Sequence, residues 1–440
     1  MRFIFFLLFF ISINSLTFSQ QRKLTAGPMP GDVTANTSKI WLLVKKTKTV
    51  CIFLTENNAA QNKKSITIST DTVKAYKKLF PITVDFNNLS PDTEYEVTLL
   101  LDKKTIKKKI KFKTLKKTAS ADFSFLTGSC ALQLPAICKP FLHAGTDKIF
   151  KKMQTVPSDF MIWLGDNTYY IKKPLGPPDF ASAKGMWRRQ IKSRKIKRMN
   201  NFLTSRPQYA IWDDHDYGSY DGDESFPLKD TSLYIYRSLW ANPSYGLPGV
   251  NGIFSSFRKY DSEFFLLDDR FYRNAPNTKN GTMLGKEQLS WFLAGLKKSD
   301  AVFKFIVLGS PMLNPNCKDE CYSQFPEEKK AIFDFIKNNN ITGIIFLTGD
   351  SHHSDLQKQV RENTYPFYDF TCSPISSFPS KPTPNDAAST ARVPNTLTVL
   401  CNFGRVSVTG AVGSRICTIE LFNDKAKLLW KHEIPEKELR

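Results

Sequence analysis

Histidine is scarce in this 440-residue chain: it occurs five times, and never before residue 143. A centre built on imidazole is therefore excluded from the N-terminal region, which is left a stabilising or substrate-presenting role. Acids are in deficit as well. Lysine and arginine total 62 against 41 aspartates and glutamates, and the net charge of +21 favours anionic partners such as phosphate esters, nucleic acid or acidic lipid surfaces. After the opening segment no apolar run is long enough to span a bilayer, so no transmembrane anchor is expected in the mature chain. Ser129 sits in a GSC triplet without a GxSxG elbow around it, so acyl transfer through a serine is not indicated. Nothing in the composition marks a disordered protein, and the length suits about two or three domains with a substantial core.

The opening stretch MRFIFFLLFFISINSLTFSQ carries one positive charge, then an apolar run ending in small and polar residues. It reads as a signal peptide over residues 1–19, cut ahead of Gln20, and predicts an exported protein, periplasmic or secreted. No twin arginine and no cysteine near the cut point to Tat export or a lipid anchor. Among the eight cysteines, Cys317 and Cys321 in CKDEC are close enough to be disulfide candidates. The lysine-rich stretch 101–117 keeps Ile106, Ile110 and Phe112 in strand-like alternation. It reads as a lysine-protected edge strand rather than a nucleic-acid stripe, and no stable nucleic-acid complex is expected.

From about 25 to 115 the chain shows short alternating strands such as KIWLLV, VCIFLT and YEVTLLL, separated by NN, SPDT and DKKT turn signals. This predicts a small antiparallel β-sandwich over 22–116. Its segment NNLSPDTEYEVTLLL resembles the turn of fibronectin type III modules, with Tyr95 as an inward aromatic and Pro91 as turn former. Beyond the linker KKTASA, over 120–437, apolar runs alternate with amphipathic stretches such as GKEQLSWFLAGLKK and EEKKAIFDFIKNNN. That alternation predicts an α/β layered domain whose central strands are covered on both faces, with GRVSVTG, CTIELFN and AKLLWKHEI as further strands.

Polar chemistry gathers at the C-terminal ends of these apolar runs, where α/β sheets assemble sites: LTGSC, LGDNTYY, WDDHDYG and LTGDSHHSD. A hydrolytic metal centre needs anionic oxygens, neutral imidazoles and an open position. Asp166, Asp214, Asp350 and His352 have those properties, and His215 and His353 fall in the same motifs. A lone GD after a strand reads as a turn or cap; two of them together with DDHD point to metal. Taken alone, Cys130 reads as a buried or disulfide-bonded thiol, Cys138 being one partner.

The series GSC at 128–130, GDNTYY at 165–170, DDHD at 213–216, LDDRFYR at 267–273 and GDSHH at 349–353 resembles the alkaline phosphatase D, or PhoD-like, family of metallophosphoesterases. The opening GPMPGDVTANTSKIWL is similar to that family's accessory domain. The resemblance implies a two-sheet metallophosphoesterase-like α/β sandwich preceded by a small fibronectin-III-like all-β sandwich. It also implies ferric iron beside calcium: Cys130, Asp166 and Tyr169 as ligands, with Asp214, Asp350 and His352 completing the shells. His215 is the implied catalytic residue, bonding the phosphate and donating a proton, and His353 a further ligand or a supporting partner. The implied reaction is hydrolysis of anionic phosphate mono- or diesters by a metal-bound oxygen nucleophile.

The chain departs from the family where relatives carry an asparagine after DDHDYG. Here Tyr220 stands near that place with Asp221 beside it, so Asp221 substitutes as a ligand or one calcium position is weakened. In MWRRQIKSRKIKR, from 186 to 198, a mostly solvated basic helix is expected, with Arg188 as the arginine reaching the substrate. Asp269 and Arg270 are read as a buried supporting pair. Two other readings stay open: a phospholipase D-like phosphodiesterase, and an inactive secreted protein that holds polyanions.

Overall fold

The computed structural model describes residues 23–57, 59–133, 145–172, 176–276, 278–317 and 320–440. The predicted signal peptide, Cys138 and His143 lie outside them. The chain forms two compact units, one up to Lys117 that also takes in Arg194–Pro207, the other holding Thr118–Ser193 and Gln208–Arg440.

In the first unit, β1 (Leu24–Val33), β2 (Ser38–Lys45), β3 (Thr49–Glu56), β4 (Ala59–Ser69), β5 (Leu79–Phe86), β6 (Glu94–Leu101) and β7 (Lys104–Lys113) build two antiparallel sheets. Their orders are β1-β2-β5 and β4-β3-β6-β7. Alternate residues such as Ile40, Leu42 and Val44 from one sheet and Ile52, Leu54, Val97 and Leu99 from the other meet in a single core, the period-2 pattern of sheets with one face buried. Strand β7 is an edge: Ile106, Ile110 and Phe112 point inward and its lysines mostly outward, which blunts edge-to-edge pairing. Tyr95 is buried, its hydroxyl accepting from Ser90 N at 2.8 Å and donating to Glu56 at 2.9 Å. The helix Lys197–Leu203 joins this unit through Asn200, whose Oδ1 accepts from Gly27 N at 3.0 Å.

The second unit continues with β8 (Phe123–Gly128), β9 (Phe160–Leu164), β10 (Gln208–Ile211), β11 (Ser255–Lys259), β12 (Ser262–Leu266), β13 (Phe303–Val307), β14 (Ile344–Thr348), β15 (Asp355–Arg361), β16 (Thr364–Thr371), β17 (Asn402–Thr409), β18 (Ile416–Asn423) and β19 (Leu428–Pro435). They form two mixed sheets, β10-β9-β8-β17-β18-β19 and β11-β12-β13-β14-β16-β15. β8, β9 and β10 run parallel, as do β12, β13, β14 and β16.

The sheets face each other through aromatic rings. Phe125 meets Phe264 at 5.4 Å and Phe305 at 5.5 Å, and Phe160 meets Phe264 at 5.7 Å, all edge to face. On the outer face of the second sheet, Phe292 of the helix Lys286–Lys298 packs on Phe265, and Phe333 of Pro326–Asn338 packs on Phe367. Helices Lys148–Met153 and Lys229–Leu239 cover the first through Phe150 on Trp163 and Tyr236 on Trp212. Covered on both sides, FMIWL, FKFIV and IIFLT are buried at every position, as parallel strands inside helix layers require. This is the predicted two-sheet α/β sandwich following an all-β sandwich.

Candidate metal centre

β8, β9 and β10 end side by side and release their motifs at one edge, and β14 of the facing sheet brings GDSHH to the same place. For β8, β9 and β10 parallel pairing leaves no choice: strands in register that run the same way stop at the same edge. The turn off each strand is tight. Gly165 has φ +90°, and a Cβ on it would stand 2.6 Å from the Cβ of Asp213; a Cβ on Gly349 would meet Leu164 O at 2.6 Å. Only glycine allows the motifs to come this close. Cys130, Asp166, Asp350 and His352 themselves adopt left-handed backbone, with φ of 55°, 54°, 62° and 57°, a cost that clusters at functional sites.

The side chains converge. Cys130, Asp166 and His352 present ligand atoms within 4.8 Å of one another, as do Asp166, Asp214 and His215, and again Asp213, Asp214 and Asp350. Cys130 Sγ lies 3.6 Å from Asp166 Oδ2 and 3.5 Å from the Asp350 carbonyl oxygen. Tyr169 OH is 3.2 Å from His352 Nε2, and His352 Nδ1 is 2.7 Å from Phe378 O. A carbonyl only accepts, so Nδ1 carries the proton and Nε2 turns its lone pair to the site, the orientation a metal-ligating imidazole needs. His215 packs its ring on Tyr169 at 4.2 Å. His353 is buried outside these clusters, its pKa lowered by desolvation against the pull of Asp355.

Electrostatics divide the acids. Desolvation, then Cys130, Asp214, Asp213 and Asp216, push Asp166 far above the carboxylate range; desolvation, Asp213 and Cys130 do the same to Asp350. Burial likewise raises the Cys130 thiol and the Tyr169 phenol. Asp214 is the exception. Burial raises it, but His215, Arg270 and the backbone N–H groups of Asp221 and His215 bring it below its usual value. Burial keeps His215 below the ordinary imidazole value. A soft sulfur, a phenol, carboxyl groups and imidazole crowded together with few cations among the described residues form a donor set that fits bound cations.

A PhoD-like phosphatase family profile matches residues 249–411. Alkaline phosphatase D of Bacillus subtilis (strain 168) is 24% identical over 271 residues, covering 50% of this chain and 45% of that protein. A solved structure of PhoD superimposes with a TM-score of 0.77 at 15% identity, covering 95% of this chain and 92% of that one. Residues 249–411 are thus similar to PhoD-like phosphatases, and the chain spans less than half the length of the curated relative it matches. The same fold recurs in purple acid phosphatase PPD1 of yellow lupin, with a TM-score of 0.69 at 11% identity over 93% of this chain and 74% of that one.

Several sequence readings differ from what the structure places. Arg188 does not line the cavity in front of the centre; it pairs with Asp179 at 2.7 Å and stays 55% exposed. Its neighbour Arg189 is buried instead, donating to the carbonyls of Tyr169 at 2.6 Å and Gln133 at 2.9 Å, and Arg194 is buried too, so the basic helix is not mostly solvated. Arg270 is buried and paired, but with Asp213 at 2.5 Å and Asp221 at 2.9 Å, while Asp269 accepts from Ser310 N. Asp221 is thereby committed to arginine, Arg273 included at 3.0 Å. Tyr220 lies 67% exposed on the cavity wall.

Sequence reasoning left two acids without a role. Asp216 accepts from Asn167 N, Asn167 Nδ2 and Thr168 N at 2.8, 3.0 and 2.8 Å, tying the GDNT turn to DDHD. Glu320, from CKDEC, reaches the cavity wall. The spacing of GDNT and DDHD hinted at the first; nothing local announced the second.

Proposed function

We propose that this chain is an exported, metal-dependent phosphoesterase that hydrolyses phosphate mono- or diesters. The observation that carries the reading is the convergence of Cys130, Asp166, Asp214, Asp350 and His352 within three overlapping sets of ligand atoms whose buried charge the described residues leave in excess. Cys130, Tyr169, Asp166 and His352 suit ferric iron, and Asp214 with Asp350 suits an oxygen-seeking cation such as calcium. Bound there, such ions supply positive charge against phosphoryl oxygens and make water acidic enough to act as nucleophile near neutral pH.

The chain's own groups do the rest. A cavity of about 500 Å³ admits the ester to the centre, with His215 and His352 in its wall. Neutral His215 keeps one ring N–H to bond a phosphoryl oxygen; when its other ring nitrogen has taken a proton from solvent, it gives that proton to the departing alkoxide, which leaves as the alcohol with the ring neutral again. Tyr169 holds the His215 ring in place by tilted ring-on-ring packing. The apolar opening segment supports export, and the basic surface draws anionic esters inward.

The test is hydrolysis of an activated phosphodiester and its monoester counterpart, before and after chelation, with calcium and iron restored. Loss on chelation and recovery on restoration is expected, and the preferred ester names the substrate class. Absence of turnover with every metal, joined to salt-sensitive polyanion binding, would replace this reading by the inactive binding protein.

A further inference from the structure

Glu320 comes from outside the strand-end motifs. It lies one residue before Cys321, which is disulfide-bonded to Cys317. Its backbone is left-handed at φ 49°, a conformation a glutamate adopts only where its surroundings impose it. The side chain is 12% exposed, and Oε1 is buried without a hydrogen-bond partner among the described residues. Arg270 Nη2 stands 3.8 Å away, beyond hydrogen-bond reach, with its guanidinium already bonded to Asp213 and Asp221. The acids bearing most strongly on Glu320 are Asp350 and Asp214, and all but Asp214 border the same cavity.

The oxygen ligands in hand on that side are few. Asp214 accepts from His215 N at 2.7 Å and Asp221 N at 2.8 Å, one bond on each oxygen, and Asp213 Oδ1 is held by Arg270. Asp221 is turned to arginine. A calcium-like cation takes about six to eight oxygens. We propose that Glu320, held in place by the Cys317–Cys321 clasp, is a further oxygen ligand of the cation bound by Asp214 and Asp350.

The proposal rests on the metal-centre reading, and its test separates the two. Full-length mature protein is stripped of metal and titrated with calcium by calorimetry, and melting is followed in chelator and in calcium. Glu320→Gln is expected to weaken calcium binding at least about tenfold, the loss seen even when an outer-shell partner is removed. In chelator the variant melts no lower than the parent. The double change Cys317→Ser and Cys321→Ser keeps the carboxylate but frees its segment, and weakens the same binding by less. Equal calcium affinity in parent and Glu320→Gln overturns the proposal; so does an equal drop in melting temperature with and without calcium, which makes Glu320 a structural partner of Arg270. A parent that binds neither calcium nor iron overturns the metal-centre reading itself.

Discussion

On one flank of the centre, Asp221 faces the guanidinium groups of Arg270 and Arg273, and Asp216 faces backbone N–H groups; Asp213 straddles the two, bonded to Arg270 yet still pushed well above the carboxylate range by burial, Asp269 and Asp214. On the other, Asp166 and Asp350 face Cys130, Asp213 and Asp214. Burial does not separate them, since Asp216 and Asp166 are 4% and 1% exposed. What separates them is the partner. Burying a carboxylate opposite a cation or N–H donors is finished structure; burying one among its own kind is tolerable only when it is protonated or when a cation arrives. Arg270 is the hinge between the two. Burial works against its charge, yet Asp213, Asp214, Asp269 and Glu320 raise its pKa far above the usual.

Removing an acid should therefore give opposite results on the two flanks. Asp166→Ala is expected to lower hydrolysis by more than about a thousandfold, beyond the loss of a single transition-state donor, and to empty the centre as read by metal analysis. In chelator the same variant melts no lower than the parent. Full activity and metal content would remove Asp166 from the ligand set. Arg270→Leu strips the braced flank of its cation and is expected to destabilise the fold by about 3–5 kcal/mol, measured by denaturant unfolding. Asp216→Ala, losing its hydrogen bonds to the GDNT turn, is expected to cost about 2–4 kcal/mol. A cost for Asp166→Ala in chelator equal to that of Asp216→Ala would erase the distinction between the flanks.

His215 stands between them, bonded through its backbone N–H to Asp214 and packed on Tyr169. His215→Ala should reduce turnover by about 10²–10⁴-fold while leaving metal content intact. Wild-type turnover would take it off the catalytic list, and loss of metal would make it a ligand.

Much of this was legible because it is periodic or terminal. Ile40, Leu42 and Val44 announce a half-buried strand by alternation, and FMIWL and IIFLT announce covered strands by having none. Asp166, Asp214 and Asp350 are marked by following such runs, often behind a glycine. What escaped depends on residues that meet only through the fold. Arg270 lies next to Asp269 in sequence but reaches Asp213 and Asp221. The segment Arg194–Pro207 joins the first unit although about eighty residues separate it from Lys117. CKDEC read as a disulfide, which it is, and the glutamate inside it carried no signal of its own. The phenolate role proposed for Tyr169 rests on the family resemblance; from its position alone it reads as a packed aromatic.

Lys304 offers the smallest and cleanest contrast, a buried cation without a close carboxylate. Its Nζ donates to the carbonyls of Ala301 at 2.7 Å and Thr342 at 3.1 Å, and burial lowers its pKa to about 8, with Glu263 and Asp300 resisting only in part. A lysine whose folded pKa lies below its unfolded value of 10.5 binds less proton when folded. Its protonated form therefore costs stability below about pH 8, and the cost fades as pH rises toward 10.5. Relative to Lys304→Met, the parent should gain up to about 3 kcal/mol across that window, at about 1.4 kcal/mol for each pKa unit. Denaturant unfolding of both proteins at pH 8 and pH 10 measures it. A constant difference between them would mean that the two carbonyls answer the ammonium as fully as Arg270 answers Asp213, and that a buried charge here needs dipoles rather than a counter-ion.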